Sequence, residues 1–586
     1  MACDERILAK QPIYITNQAA LGQVSNPTAT SDRRLILVSD ARIDNREELL
    51  DQLWTSLDNS IIVSDSDLIL AAYIKWGKSC PEHLIGDFAF AIWDSTKAVL
   101  FAARDGMNMR TLYYLHTAYG LCLASEEEQL LNHPAMTPQP SELGLAGWLS
   151  GWPDPMISMF DGVDVLPPGH SLTADANSTT IRKFWDIDPE KQIRYRQLQD
   201  YEAHLHELLC RAVEDRLHSS SEVVVTQMSG GMDSTTVTAL AKQAAEKQCK
   251  KLLVLSHSYH STSCCDETQR IHAMLKHLCI DDFHFLPAEQ HTDLDFQTLY
   301  PPIRDCPGTV LSPRYIDEMT IIKAAGAQVL LTGSGGDEMT WGHSLTYSQR
   351  LLSGELKVIW EVISGCREMQ LPLLRSLRQL FVNPFMPSCL KRALGRSPGS
   401  IKLPDWVPKT AIQRLDLQER LLAPSNTHFH NPALQARYEA LKRTSTLNSV
   451  RSYARAGAEH GIDVRHPFFD TRIAEFSFAI PDDLWIREGY PKWLLRKTMD
   501  SVLPNSVCWN RHKVIFDSFF SELIRKQPEN IRGILSDTRL QEMGLLDNRK
   551  LLAAYNTVIN GKQPSLNVDL LYALMTQVWY QKYWAD

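Results

Sequence analysis

Hydrophobic and polar positions change their period near residue 190. Ahead of that point RRLILVSDARI, GDFAFAIWD, AVLFAARD and TLYYL are short runs rich in β-branched and aromatic residues, separated by Gly and Pro, and they predict strands. DSDLILAAYIKWG instead repeats its apolar residues at helical spacing, and VLPPGHSLTA predicts a turn into a late strand. The charged segment DIDPEKQIRYRQLQD puts a boundary between residues 186 and 198, so the expected domains are 1–190 and 191–586.

Behind the boundary, strand and helix patterns alternate. The helix YEAHLHELLCRAVEDRL leads into a strand at Val223–Val225. The strands KLLVLS, DFHFL and QVLLTG follow, with helices around Val237, DETQRIHAMLKHL and YIDEMTIIKAAG between them. Such alternation predicts an α/β fold, a parallel sheet with helices on both faces. Beyond residue 345 the pattern is mostly helical. Leu371–Lys402 holds six Lys/Arg and no Asp/Glu. It reads either as a lid or docking surface or as a plain solvated face.

Composition narrows the function classes. The 44% hydrophobic and 22% charged content is that of a globular protein, and 586 residues imply more than one domain. A net charge of −9 argues against a nucleic-acid coat or an anionic-membrane binder, so neither partner is expected. The start, MACDERILAK, lacks a signal-peptide core, no apolar run reaches bilayer length, and the twelve Cys show no C-x-x-C pair. A reduced, cytoplasmic protein is expected.

Two turns carry the candidate chemistry. In VVVTQMSGGMDSTT, Val223–Thr236, a buried strand meets a helix whose stripe is Val237, Leu240, Ala241 and Ala244. Ser229, Gly230, Gly231 and Ser234 occupy the junction, at the carboxyl edge of the expected sheet, where α/β proteins bind ligands. Glycines expose backbone N–H groups there, and the helix dipole behind them makes a nest for an oxyanion. The loop is not of the G-x-x-x-x-G-K-[ST] type. VLLTGSGGDEMTWG, Val329–Gly342, repeats the arrangement with Asp337 and Glu338. Asp233 and Asp337 could aim at one Mg²⁺ with room for phosphate oxygens; the plainer alternative makes Asp337 a helix cap.

The S-G-G-x-D-S loop resembles the pyrophosphate loop of AMP-forming ATP pyrophosphatases, and the chain resembles the asparagine synthetase superfamily nearly end to end. DARIDNREELL, GDFAFAIWD, AARDGMNMRTLYY and LPPGH are similar to its glutaminase-type domain. TGSGGDE, GIDVRHPFFDTRIAEF, PKWLLRKTMDSVLP and RHKVIF are similar to its synthetase domain. The resemblance implies a class II glutaminase-like αββα sandwich followed by an ATP-pyrophosphatase-type sheet and a helical C-terminal part. The chain departs from the pattern at Ala2, where a nucleophilic cysteine belongs; Cys3 would have its amine locked in a peptide bond. The H-R-G-P-D turn is absent, and the substrate-holding N-G-E reads Asp40, Ala41, Arg42. This first domain is not expected to hydrolyse glutamine.

An enzyme of this family without its own ammonia source resembles two branches that use an amine within the substrate, the β-lactam or carbapenam synthetases and the lasso peptide cyclases. Ser334 stands where the family's presumed base is Glu or Tyr, and a small residue there favours the bulkier peptide of a lasso cyclase. The resemblance implies ATP with its phosphates on Ser229, Gly230, Gly231, Asp233 and Ser234, and its adenosine near Met228, Ser256, Thr332 and Gly333. Mg²⁺ would bridge Asp233 and Asp337. A peptide carboxylate would be adenylated and closed onto the peptide's N-terminal amine as a macrolactam. Lys513 matches a charge-stabilising family lysine, and Ser334 and Glu459 complete the candidate catalytic set. Glu459, like Arg465 and Asp470, is as readily a structural ion-pair former. A core peptide and a leader-removing protease are the implied partners. An ammonia-using asparagine synthetase and an inactive scaffold remain alternatives.

Overall fold

Alternation in the strand Gly86–Asp94 sends Phe88, Phe90 and Ile92 into one hydrophobic cluster and Ala89 and Ala91 into another, so both of its faces are buried. A computed structural model describes residues 13–15, 20–22, 27–53, 63–118, 120–134, 136–260, 262–308, 312–368, 371–387, 390, 401–423, 425–442, 446–511, 514, 517–560 and 568–584. They form two compact units, residues 1–144 with 155–187 and residues 145–154 with 188–586.

In the first unit β1 (Ile13–Ile15) pairs with β2 (Ala20–Gly22). A six-stranded antiparallel sheet uses β3 (Thr28–Ala29), β4 (Leu35–Ile43), β5 (Gly86–Asp94), β6 (Val99–Arg104), β10 (His170–Ala174) and β11 (Thr179–Lys183), ordered β11-β10-β6-β5-β4-β3. A second antiparallel sheet, β8-β7-β9, comprises β7 (Tyr113–Thr117), β8 (Gly120–Ala124) and β9 (Val163–Val165). Helices Arg46–Leu53 and Asp65–Trp76 cover one face of the large sheet through Leu49, Leu53, Leu68 and Ile69; the small sheet covers the other through Tyr114, Leu121 and Leu123. A Ser64–Asp67 capping box starts the longer helix. The short helix Glu127–Leu131 lies beside β7 and β8. The layers are therefore α, β, β, α.

The second unit is built on β12 (Val223–Gln227), β13 (Lys251–Ser258), β14 (Phe283–Pro287), β15 (Val329–Leu331) and β16 (Asp463–Arg465), all parallel and ordered β14-β13-β12-β15-β16. On one face Val225, Leu253, Leu255 and Leu330 pack on Met319, Ile322 and Tyr453. On the other lies helix Met232–Lys247, with Val237, Leu240, Ala241 and Ala244 all buried. The region beyond residue 345 is not purely helical: β16 comes from it.

A buried ion network ties this late strand to the early part of the unit. Asp470 caps helix Thr471–Ala479 and accepts from Arg216 and Arg472, each at 2.8 Å; Arg472 also reaches Asp215 at 2.7 Å. Burial alone would push the Asp470 carboxyl up, but the two guanidinium groups outweigh it and hold the group well below the usual carboxylate range. Arg465 pairs with Asp463 at 2.7 Å and donates to the Arg216 and His218 carbonyls at 2.6 and 2.8 Å. Removing one partner of a buried pair strands the other. Asp470→Asn is expected to lower unfolding stability by about 3–5 kcal/mol, read as a shift in the urea transition of the full chain.

Candidate active site

The two glycine-rich turns leave the carboxyl edge of the parallel sheet from β12 and β15, which are direct neighbours. Strands about 4.8 Å apart force the loops above them together, provided side chains do not intervene. Here they do not. A Cβ on Gly336 would lie 2.2 Å from Asp233 Cγ, and one on Gly333 would lie 2.5 Å from the Ser234 backbone nitrogen. Gly335 adopts φ 92°, open to glycine, and lets helix Gly336–Thr340 begin at once.

Hydroxyl groups organise the first turn. Ser234 Oγ accepts from the Ser229 N–H at 3.0 Å and lies 2.9 Å from Ser229 Oγ, which accepts from the Gly231 N–H at 3.2 Å. Met228 N–H donates to the Leu255 carbonyl at 2.8 Å, and Ser256 Oγ donates to the Met228 carbonyl at 2.7 Å. Gly230 N–H donates to the Glu267 carboxylate at 3.2 Å, and Arg270 holds that carboxylate at 2.7 Å. A loop amide that already faces a carboxylate oxygen, ahead of a 16-residue helix, has the polarity of an anion site. In the second turn Thr332 N–H donates to the Arg465 carbonyl at 3.0 Å, Thr332 Oγ1 meets His466 Nδ1 at 2.6 Å, and Ser334 N–H donates to Thr332 Oγ1 at 3.2 Å.

Lys492 joins the turns. Its Nζ sits 2.6 Å from Asp337 Oδ1, contacts Asp233 Oδ2, and lies 5.4 Å from the centre of the Trp341 ring. The side chain is only 5% exposed. Burial alone would pull its pKa down, but the two carboxylates outweigh burial and raise it, so the ammonium stays charged at neutral pH. Its backbone is held at φ 59°, a conformation that costs a non-glycine residue about 1 kcal/mol or more. Two aspartates that share one cation suit Mg²⁺, which takes one or two carboxylates and fills its octahedron with phosphate oxygens and water. No group of three or more metal-ligating side chains occurs among the described residues, so the donor set fits a metal carried with phosphates rather than an all-protein cage.

Under the sheet, on the Val225 face, lies a buried polar cluster that was not legible in the sequence. Glu318 accepts from Tyr453 Oη at 2.7 Å and from Gln227 Nε2 at 3.0 Å. Burial pushes its carboxyl up to about 7 despite Tyr453, Arg314 and Gln227. His257, 3.9 Å away, is held neutral by burial and by Arg314, so the contact is not an ion pair at neutral pH.

Residues 204–581 match the Asparagine synthase family, and residues 5–185 match the Glutamine amidotransferase domain. The chain belongs to the asparagine synthase family. It is an ATP-dependent, amide-forming ligase with an amidotransferase-like first domain. Glutamine-hydrolyzing asparagine synthetase 3 of Bacillus subtilis (strain 168) is 24% identical over 549 residues, covering 88% of this chain and 81% of that protein. Glutamine-hydrolyzing asparagine synthetase 2 of the same strain is 27% identical over 528 residues, covering 85% of this chain and 64% of its own length. A solved structure described as the allosteric regulatory enzyme of purine biosynthesis aligns at 15% identity with a TM-score of 0.22, over 53% of this chain and 75% of that one.

Within this family member, Asp233 and Ser234 of the first turn meet Gly333, Gly336 and, through Lys492, Asp337 of the second; Ser229, Gly230 and Gly231 lie in the first turn, Ser334 in the second, and Met228, Ser256 and Thr332 at the flanking strand ends. Glu459 does not join them. It is exposed behind helix Thr446–Ala458 and ahead of β16, toward the amino edge of the sheet. Arg465 and Asp470 are engaged in the ion pairs described above. Lys513 lies outside the described residues. Among the described residues, Lys492 is a cation between the two turns, and the Glu267–Arg270 pair lies at the first turn. None of the three was singled out from the sequence, although PKWLLRKTMDSVLP contains Lys492 at the head of an apolar run.

Two outcomes follow from these contacts. Gly336→Ala must displace Asp233, so binding of Mg²⁺-ATP, read by calorimetry, is expected to be lost while circular dichroism stays unchanged. Glu318 has its folded-state pKa raised, so its contribution is complete below the unfolded value near 4.5 and is lost as pH rises through about 7. Relative to wild type, Glu318→Gln is expected to gain on the order of 3 kcal/mol between about pH 5 and pH 8, measured as paired urea midpoints.

Proposed function

We propose that this enzyme activates a side-chain carboxyl group of a leader-free core peptide and closes it onto the peptide's own N-terminal amine, a macrolactam-forming reaction of the lasso cyclase kind. The supporting observation is in the first unit, where the family resemblance places a substrate-holding N-G-E. There Arg42 is turned inward and held by Asp44 at 2.8 Å and Asp87 at 2.7 Å, while Asp40 pairs with Arg110 at 3.1 Å. A buried arginine with two carboxylate partners at that position is a poor holder of glutamine, which supports an amine from another source. Ser334, small and half-buried between Gly333 and Gly335, leaves space for a peptide at the second turn.

ATP supplies the activation, with AMP and pyrophosphate as leaving groups, and Mg²⁺ neutralises phosphate charge when bound. The chain supplies position and field. The Gly230 and Gly231 amides and the Ser229 and Ser234 hydroxyls would orient phosphate oxygens, and Asp233 and Asp337 would hold the metal. Lys492, already charged and buried, is placed to answer negative charge on the phosphate and on the carbonyl oxygen. An N-terminal amine with a reference pKa of about 8 needs little help to lose its proton. Holding it against the activated carbonyl can be worth roughly 7–11 kcal/mol.

A second reading is asparagine-type amide formation, supported by the names of the Bacillus relatives, both glutamine-hydrolyzing asparagine synthetases; with the first unit altered at Asp40–Arg42, free ammonia would be its nitrogen source. One assay separates the two. With ATP, Mg²⁺ and core peptide, the peptide is expected to lose one water, by mass, as pyrophosphate appears. Lys492→Met is expected to slow this about 10²–10³-fold while ATP still binds. Asparagine formed from aspartate and ammonia, with the peptide untouched, selects the second reading.

A further inference from the structure

A helical region of the second unit carries apolar residues on two sides. Inward, Val358, Val362 and Cys366 of helix Lys357–Glu368 pack with Leu373, Leu377 and Phe381. An ordinary surface helix is polar on its outer side. Here Trp360 on the outer side of that helix is 70% exposed, Leu352 and Leu356 in the end and turn just before it are 71 and 69% exposed, and Leu374 is 84% exposed. Val382 and Phe385 extend the same character at 50 and 43%. Their inner neighbours already fill the core, so no rearrangement of this fold needs them.

Cations are in surplus on this region. Glu355 and Glu361 share Arg350, at 2.6 and 2.7 Å, and Glu368 pairs with Arg511. Lys357, Arg367, Arg375 and Arg378 are exposed, and the sequence from Leu371 to Lys402 contains no acidic residue. A two-fold contact between copies of this chain would set these cations against themselves. Leucine, tryptophan and phenylalanine beside arginine and lysine suit a surface with phosphates outside and acyl chains just beneath.

We propose that this face docks peripherally on an anionic lipid bilayer, with Trp360 and Leu374 entering the headgroup boundary and Arg375 and Arg378 meeting lipid phosphates. No helix among the described residues is long and apolar enough to cross a membrane, so the contact is interfacial. The net charge of −9, which argues against a membrane partner for the chain as a whole, is not what this face presents. Charges act on a surface within a Debye length, about 10 Å at 0.1 M salt, so the local cations decide. The inference is independent of the reaction proposed above.

The test is co-sedimentation of the full chain with vesicles of phosphatidylcholine alone and of phosphatidylcholine with phosphatidylglycerol. Wild type is expected to sediment with the mixed vesicles only, and to be released near 1 M salt, where the Debye length falls to about 3 Å. Each basic residue near such a surface is worth about 1 kcal/mol, so Arg375→Glu with Arg378→Glu is expected to weaken binding at least about tenfold. Trp360→Ser with Leu374→Ser is expected to abolish it at equal ATP affinity. Protein that stays in solution with mixed vesicles, binds both vesicle types equally, or binds regardless of these substitutions would overturn the proposal. So would a wild-type dimer that Leu374→Ser converts to monomer, which would make the face a self-interface.

Discussion

Two carboxylates brought to one point repel each other, and everything at the active edge follows from how that repulsion is tolerated. Asp233 and Asp337 arrive on separate turns because β12 and β15 are neighbours, and the turns touch because Gly333 and Gly336 have no side chain to hold them apart. Lys492 neutralises the pair from within the protein. A cation that serves as internal counter-ion marks the same oxygens that would hold a divalent ion, if one were bound there with phosphate. The protein meets the cost of two neighbouring carboxylates with a charge of its own.

Much of this edge could be read in advance, for a simple reason. The longer strands and helices show a period: LILVSDARI, GDFAFAIWD and the stripe from Val237 to Ala244 all sit where their spacing puts them. The loop residues were legible because glycine and serine at a strand end have few other uses. What escaped was three-dimensional. β16 has three residues, too few to display alternation. Lys492 looks like any surface lysine until the fold buries it, and Glu318 sits mid-helix in a pattern that a solvent-facing carboxylate would equally satisfy. Glu459 shows the reverse error: adjacency to a matched motif did not carry it to the correct edge.

The first unit holds its layers together through two hydrophobic clusters that depend on Phe88, Phe90, Ala89 and Ala91. Arg42, a buried cation, is balanced on the spot by Asp44 and Asp87. Fold and activity are separable in such a domain, because packing and chemistry draw on different side chains.

The pairing of Val329 with Asp463 has a consequence for biosynthesis. β15 emerges from the ribosome long before the strand that protects its open side, and the Arg465 carbonyl and His466 ring that steady Thr332 arrive with that late strand. Until then the nascent chain exposes an unpaired apolar edge, Val329–Leu331, of the kind that recruits other chains. Messages that end early, or stalled translation in the intervening helices, would yield sticky fragments rather than smaller enzymes.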